Sequence, residues 1–174
     1  MNYYISDPHF GHSNIIKFCS RPFKDVEEMN EALVENWNSV VGHDDTVFCM
    51  GDFGRPPSKY AHRLNGHIIL IMGNHDKETQ CIGHFDEIVT YKQIEIDGKL
   101  VHLKHYPYKE NTGKFDQKFI NRALADDGNW LIHGHVHNSA PFLNGKSINV
   151  SVEHINYTPI SEDEIIKIIR GQVL

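Results

Sequence analysis

The sequence predicts an α/β domain: two sheet sections packed as a sandwich and flanked by helices, an αββα arrangement. Three observations point there. Strand-like and helix-like segments alternate through the first half, which predicts right-handed crossovers and a mostly parallel sheet. The second half changes to closely spaced strands with a hairpin turn, which predicts a second section. No repeat, linker or low-complexity stretch divides the 174 residues, so residues 1–174 read as one domain, long enough to bury a real core.

The elements follow in order. Tyr3 to Ser6 is a short strand, and Asp7 to Ser13 is the loop after it. Asp25 is placed to cap a helix from Val26 to about Val41, because Val26, Met29, Leu33, Trp37, Val40 and Val41 recur at helical spacing. Thr46 to Met50 is an apolar strand of the fully buried type, ending at Gly51-Asp52. Pro56-Pro57 breaks the chain, and a short helix runs on to Leu64. His67 to Met72 is a second buried-type strand, ending at Gly73-Asn74. Ile88 to Ile96 and Lys99 to Lys104 read as strands joined by an Asp97-Gly98 turn. A helix is expected over Asp116 to Ala125, then strands over Trp130 to His133 and Ser147 to Val152. Ser161-Glu162-Asp163-Glu164 is a capping box opening a last helix to Arg170, which Gly171 stops.

Composition removes several classes of function. No apolar run is long enough to span a bilayer, and Met1 to Ser6 lacks the basic start and apolar stretch of a signal peptide, so a cytoplasmic protein with no membrane partner is expected. Cys19, Cys49 and Cys81 are odd in number and widely spaced, against both a disulfide framework and a cysteine zinc site; Cys49 reads as a small core residue. The formal charge is −6 and no Lys/Arg cluster marks a phosphate-tracking stripe, which disfavours avid binding to duplex nucleic acid. The unusual count is 13 His, far more than a solvated surface needs.

Those histidines recur in short polar stretches after apolar runs. Asp7-Pro8-His9 can aim two side chains at one ion, although alone such a pair is more often a turn carboxylate beside a surface His. Asp52, behind Gly51 at a strand end, has two oxygens with which to bridge two cations; alone it also fits a turn. Gly73-Asn74-His75-Asp76 offers an amide oxygen and an imidazole. His135 and His137 are one residue apart, so an extended segment points both the same way. His133 reads as a packing or supporting residue. His105, before Tyr106-Pro107, follows another strand.

Taken together and in this order, the five stretches Asp-x-His, Gly-Asp, Gly-Asn-His-Asp, His and Gly-His-x-His resemble the calcineurin-like metallophosphoesterase superfamily. Phe10-Gly11-His12 through Arg21-Pro22-Phe23, and Ile148 to Val152 with Tyr157-Thr158-Pro159-Ile160, are similar to its compact prokaryotic and phage-type members. The resemblance implies two divalent metal ions. One would take Asp7, His9, Asp52 and His137; the other would take Asp52, Asn74, His105 and His135, with Asp52 bridging. Nitrogen and oxygen donors without thiolate suit Mn²⁺, Fe, Zn²⁺ or Ni²⁺ without choosing among them; the resemblance implies Mn²⁺ first. His75 is implied as the catalytic residue at the leaving group rather than a ligand.

The resemblance implies that these residues would hold the two ions against a phosphoryl group, where the ions would supply Lewis-acid polarisation and a water of lowered pKa for in-line attack on phosphorus. The reading is thus a phosphodiesterase acting on nucleotides or other small phosphate esters. The alternative is a nuclease or nucleic-acid end-processing phosphatase, which needs a basic surface. A non-catalytic interaction scaffold is the reading from another class; such relatives tend to lack a ligand or the catalytic His, and this chain keeps them all. Family phosphoprotein phosphatases carry a second Asp three residues after the bridging one to orient the catalytic His. Arg55 stands there in this chain, which argues against that activity. Asp76 is a conjectural substitute for that Asp; Arg55 is a candidate contact for substrate phosphate, and Arg21 and His12 are further candidates for which a structural role is the stronger reading.

Overall fold

The computed structural model describes residues 1–111 and 114–172. Ten strands form two five-stranded sheets. In the first sheet β1 (Asn2–Ile5), β2 (Thr46–Cys49), β3 (His67–Ile71) and β4 (Glu87–Val89) run parallel, and β10 (Ile160–Ser161) closes the edge antiparallel to β1. In the second, β6 (Lys99–Leu103), β7 (Trp130–His133) and β9 (Ser147–Asn149) are parallel neighbours, with β5 (Lys92–Ile96) and β8 (Leu143–Asn144) antiparallel at the edges.

The period-2 alternation of strand side chains sorts the core. Tyr4, Phe48, Met50 and Ile71 face the gap between the sheets, where they meet Val101, Leu103, Ile132, Ile148 and Val150. Tyr3, Ile5, Val47, Cys49, Ile68 and Leu70 face the other way, onto Met29, Leu33, Val34 and Trp37. Those four belong to α2 (Val26–Val40), whose first turn is capped by the Asp25 carboxylate accepting from the Glu28 amide at 2.9 Å. Buried Trp37 keeps its indole N–H satisfied by donating to the Asn65 carbonyl at 3.0 Å. The Ser161–Glu164 capping box opens α3 (Glu162–Ile169), which puts Ile165 and Ile168 into the core between the sheets.

Three expectations are corrected. The stretch Ile88 to Ile96 is two strands, interrupted at Thr90-Tyr91, and the interruption carries the chain from the first sheet to the second. Asp116 to Ala125 is not an α-helix: a 3₁₀ helix spans Lys114–Arg122. Among the residues of this helix whose side chains are described, the apolar Phe119 and Ile120 stay partly exposed, so they do not supply the buried face that fixes an α-helix. Ser147 to Val152 keeps strand pairing only to Asn149, beyond which Ser151 makes a single parallel bridge to Ser6 across to the first sheet. That bridge, with Ser6 donating to the Val150 carbonyl at 2.8 Å, fastens the two sheets at the end where the polar loops lie.

Candidate metal centre

β1, β2, β3, β6 and β7 all deliver their carboxyl ends to one place, the usual location of a site in parallel sheets. Asp7 and His9 follow β1, Asp52 follows β2, Asn74 and His75 follow β3, His105 follows β6, and His135 and His137 follow β7. Turning these side chains inward takes unusual backbone. Asp7, His9, Asp52, His135 and His137 have φ of 57°, 51°, 52°, 72° and 46°. Left-handed backbone is disfavoured for such residues, and its concentration in one place marks a site held in shape by its surroundings. The motif glycines are needed for contact: a Cβ on Gly73 would fall inside the Asp52 carboxylate, and one on Gly134 would strike Ser6 and the Asp7 carboxylate.

The donor atoms form two groups. Asp7, His9 and His137 lie together, as do Asp52, His105 and His135, each set having its ligand atoms within 4.8 Å of one another. Asp52 links them, since its Oδ2 stands 3.7 Å from His9 Nε2 and 3.6 Å from His105 Nε2. His137 Nε2 is 3.7 Å and His9 Nε2 is 3.9 Å from Asp7 Oδ1. Asn74 joins the second group through its Oδ1, 3.2 Å from His105 Nε2. Two donors each about 2.1 Å from a shared ion would stand roughly 3.0–3.5 Å apart; the Asn74–His105 separation of 3.2 Å falls in that range and within hydrogen-bond reach, and the others, 3.6–3.9 Å, lie just outside both.

The residues fit divalent cations on a further observation. Asp7 Oδ1 and His9 Nε2 are buried and have no hydrogen-bond partner. Leaving an acceptor and a ring nitrogen unpaired in the interior costs a few kcal/mol, and a cation between them removes that cost. Each carboxylate divides its duties. Asp7 Oδ2 accepts from the Ser151 hydroxyl and the His135 amide, both at 2.9 Å, leaving Oδ1 to the cluster. Asp52 Oδ1 accepts from the His75 amide at 2.8 Å, leaving Oδ2 to it. The imidazoles are aimed the same way: His105 Nδ1 meets the Met50 carbonyl at 2.6 Å and His137 Nδ1 meets Glu153 at 3.1 Å, so Nε2 of each points inward.

Electrostatics without cations is strongly perturbed. Burial and then the Asp7 charge push Asp52 up to about 7. Burial pushes His137 down, but the Asp7 and Glu153 carboxylates outweigh it and hold the ring up at about 11. Asp7 stays below the carboxylate range in spite of burial, because His137, His105 and His9 surround it. Burial keeps His9 well below an ordinary imidazole and lowers His105.

Other expected residues fall as follows. His75 stands at the mouth, its side chain 52% exposed and its Nε2 4.0 Å from Asp52 Oδ2. His133 is buried, with Nδ1 on the Gly134 carbonyl, and burial lowers it to about 4. Asp76 does not orient His75: it accepts from the amides of Asp52, Phe53 and Gly73 at 2.8, 3.0 and 2.8 Å, tying the β2 and β3 loops together. Arg21 is no surface contact for phosphate. It is buried, donates to the Asp7 and Pro8 carbonyls at 2.8 and 2.9 Å, and pairs with Glu153. Arg55 is exposed, donates to the His75 carbonyl at 2.6 Å, and lines a pocket of about 210 Å³ with His9, His12 and His75.

Sequence reasoning missed Ser151 and Glu153, and gave no role to Asn149, whose amide donates to the His137 carbonyl at 2.8 Å. The signal was present. Asn149, Ser151 and Glu153 alternate with Ile148, Val150 and Val152, which puts three polar residues on one face of an apolar run.

Comparison with known proteins agrees with this geometry. The model for the calcineurin-like phosphoesterase superfamily domain matches residues 3–155. The chain is 44% identical to an uncharacterized protein of Methanocaldococcus jannaschii, over 99% of this chain and 93% of that one. It is 31% identical to the gene 66 protein of Mycobacterium phage L5, over 94% and 91%. Among solved structures, a protein of unknown function from Aquifex aeolicus superposes with a TM-score of 0.75 at 34% identity, covering 97% of this chain and 98% of that one. The chain belongs to the calcineurin-like phosphoesterase superfamily, and membership supports a metal-dependent phosphoester hydrolase. Among the described residues, no helix is long and apolar enough to cross a membrane.

Proposed function

We propose that this protein is a phosphodiesterase acting on nucleotides or other small phosphate esters, with two divalent cations as cofactors. Asp7, His9, Asp52 and His137 would hold one, and Asp52, Asn74, His105 and His135 the other. The observation that carries the reading is the pair of donor groups joined at Asp52, with Asp7 Oδ1 and His9 Nε2 buried and unpartnered between them. Mn²⁺ is the ion we favour for this nitrogen and oxygen set; Fe, Zn²⁺ and Ni²⁺ also suit it. When bound, such ions supply Lewis-acid polarisation of a phosphoryl oxygen and a water of lowered pKa.

The chain's own groups do the rest. His75 is fixed at its amide by Asp52 and at its carbonyl by Arg55, while its ring stays open to solvent. It can reach a leaving oxygen at the mouth and give it a proton, help worth on the order of 10²–10⁴-fold. Arg55 and His12 share that pocket, and their N–H groups would steady the anionic ester during transfer. We place the enzyme in the cytoplasm, a setting that suits its free cysteines.

A second reading, a nuclease or nucleic-acid end-processing phosphatase, draws on Lys118 and Arg122. Both lie over the Phe119 ring, which meets His135 edge-on at 5.1 Å and brings cations beside the centre.

The test is hydrolysis of bis-p-nitrophenyl phosphate and p-nitrophenyl phosphate by metal-stripped protein, with Mn²⁺ restored and Asn74→Ala as control. Metal-dependent diester cleavage lost in the variant is expected. Cleavage of the monoester alone would overturn the phosphodiesterase assignment.

A further inference from the structure

A groove of about 620 Å³ opens directly from the metal centre, with His135 and His137 forming its inner wall. Its volume suits a nucleotide-sized ligand. Its chemistry is unlike that of the centre: among the described residues, no Asp, Glu, Lys or Arg lines it. Val136 contributes an apolar wall between the two histidines, and Asn138 and Asn144 stand exposed at the rim. Phe18, the last residue of α1 (Ser13–Phe18), borders the groove with 75% of its surface open, the most exposed large apolar side chain among the described residues. A phenylalanine left open beside a functional centre, with no packing role to explain it, offers a free aromatic face.

We infer that this groove binds the base of a nucleotide ester, with the Phe18 ring as its stacking platform. The inference rests on the hydrolase reading above and names the substrate class for the same site. Phosphate would stay with the centre, because, apart from the proposed metal ligands His135 and His137, the described residues lining the groove carry no charge to receive it. What the groove can receive is a neutral group with apolar faces and a polar edge. The apolar wall and Phe18 supply the faces' partners, and the rim amides, each able to donate and accept, supply the edge's. A nucleobase has this character, whereas an alkyl chain would leave both amides unmatched. Every base presents a π-face, so recognition by stacking tolerates different bases.

The test measures binding to the manganese-loaded protein by calorimetry, using hydrolysis-resistant phosphonates: the methylene analogue of AMP, the same ribose phosphonate without base, octylphosphonate and methylphosphonate. The wild type is expected to bind the AMP analogue about tenfold more tightly than the ribose phosphonate, and Phe18→Ala to lose that margin while binding methylphosphonate unchanged. Phe18→Trp is expected to keep the margin. Because Phe18 is exposed, both variants should fold, and their melting temperatures verify it. Equal affinity for the two ribosyl compounds overturns the inference, as does octylphosphonate matching the AMP analogue with the same sensitivity to Phe18→Ala. Failure of methylphosphonate to bind in any metal-dependent way would instead overturn the underlying hydrolase reading, so the two failures are distinguishable.

Discussion

Glu153→Gln should weaken the protein and its metal centre together. The Glu153 carboxylate accepts from Arg21 Nε at 2.9 Å and faces Nη2 at 2.8 Å, and it also meets His137 Nδ1. The Arg21 and Glu153 side chains keep only 0% and 4% of their surface, so water cannot replace a lost partner. At this separation and an effective dielectric of about 20 the attraction is about 6 kcal/mol, most of which offsets desolvation. Breaking such a pair from one side costs about 3–5 kcal/mol, because the other charge stays buried. Glutamine keeps one acceptor, so about 3 kcal/mol is expected, a fall in Tm of roughly 6–12 °C for a chain of this size. The loss of the carboxylate behind His137 should independently weaken metal binding by about 10–100-fold. Differential scanning calorimetry reads the first effect and competition with a chelator the second. Arg21→Met combined with Glu153→Leu separates them: the cost of an unpaired buried charge should be relieved, although the Asp7 and Pro8 carbonyls lose their donor, while metal affinity stays low. A Glu153→Gln protein with wild-type Tm and wild-type affinity would refute the network.

Three further outcomes are expected. His75→Ala should keep its metal content and lose about 10²–10⁴-fold in kcat; full activity would remove His75 from the reaction. Gly73→Ala should abolish metal binding in a folded protein, since its Cβ would occupy the Asp52 carboxylate, as circular dichroism and elemental analysis would show. Metal affinity should rise with pH. Asp52, pushed up to about 7, and His137, held at about 11, must both shed protons to bind cations, so the loaded state carries fewer protons and low pH opposes it. Calorimetry in buffers of different ionisation enthalpy between pH 5.5 and 8 should show proton release, and pH-independent affinity would contradict the charge account. The metal-free protein responds in the opposite sense. A carboxyl raised from 3.8 to about 7 stabilises the fold at low pH and loses that contribution as pH rises through 7.

Much of this was legible in the sequence because local chemistry and tertiary structure agree. The buried runs ending at Asp52 and Asn74 are strands whose neighbours on both faces are apolar, and the Asp25 cap and Ser161 box mark helices that form where they predict. The expected ligands were readable only as an ensemble, since each alone also fits a turn. Legibility failed where long-range pairing decides. Nothing in Val89-Thr90-Tyr91 announces a change of sheet; β4 goes to β3 because Ile88 has a parallel neighbour there, and β5 to β6 because the Asp97-Gly98 turn returns the chain. The two-residue strands β8 and β10 are too short to show periodicity. Arg21 resembled a surface cation because its partner Glu153 lies 132 residues away. Asp76 resembled an orienting carboxylate because its backbone partners Asp52 and Phe53 come from another loop.

The central claim is that two cations share Asp52 between the Asp7–His9–His137 and Asn74–His105–His135 groups. Elemental analysis of Mn²⁺-reconstituted protein, for the wild type, His9→Ala, Asn74→Ala and Asp52→Asn, tests it most directly. The account predicts two ions per chain in the wild type, one retained in each of the His9 and Asn74 variants, and loss at both positions in Asp52→Asn. One ion per wild-type chain, or an Asp52→Asn protein that still holds two, would contradict it.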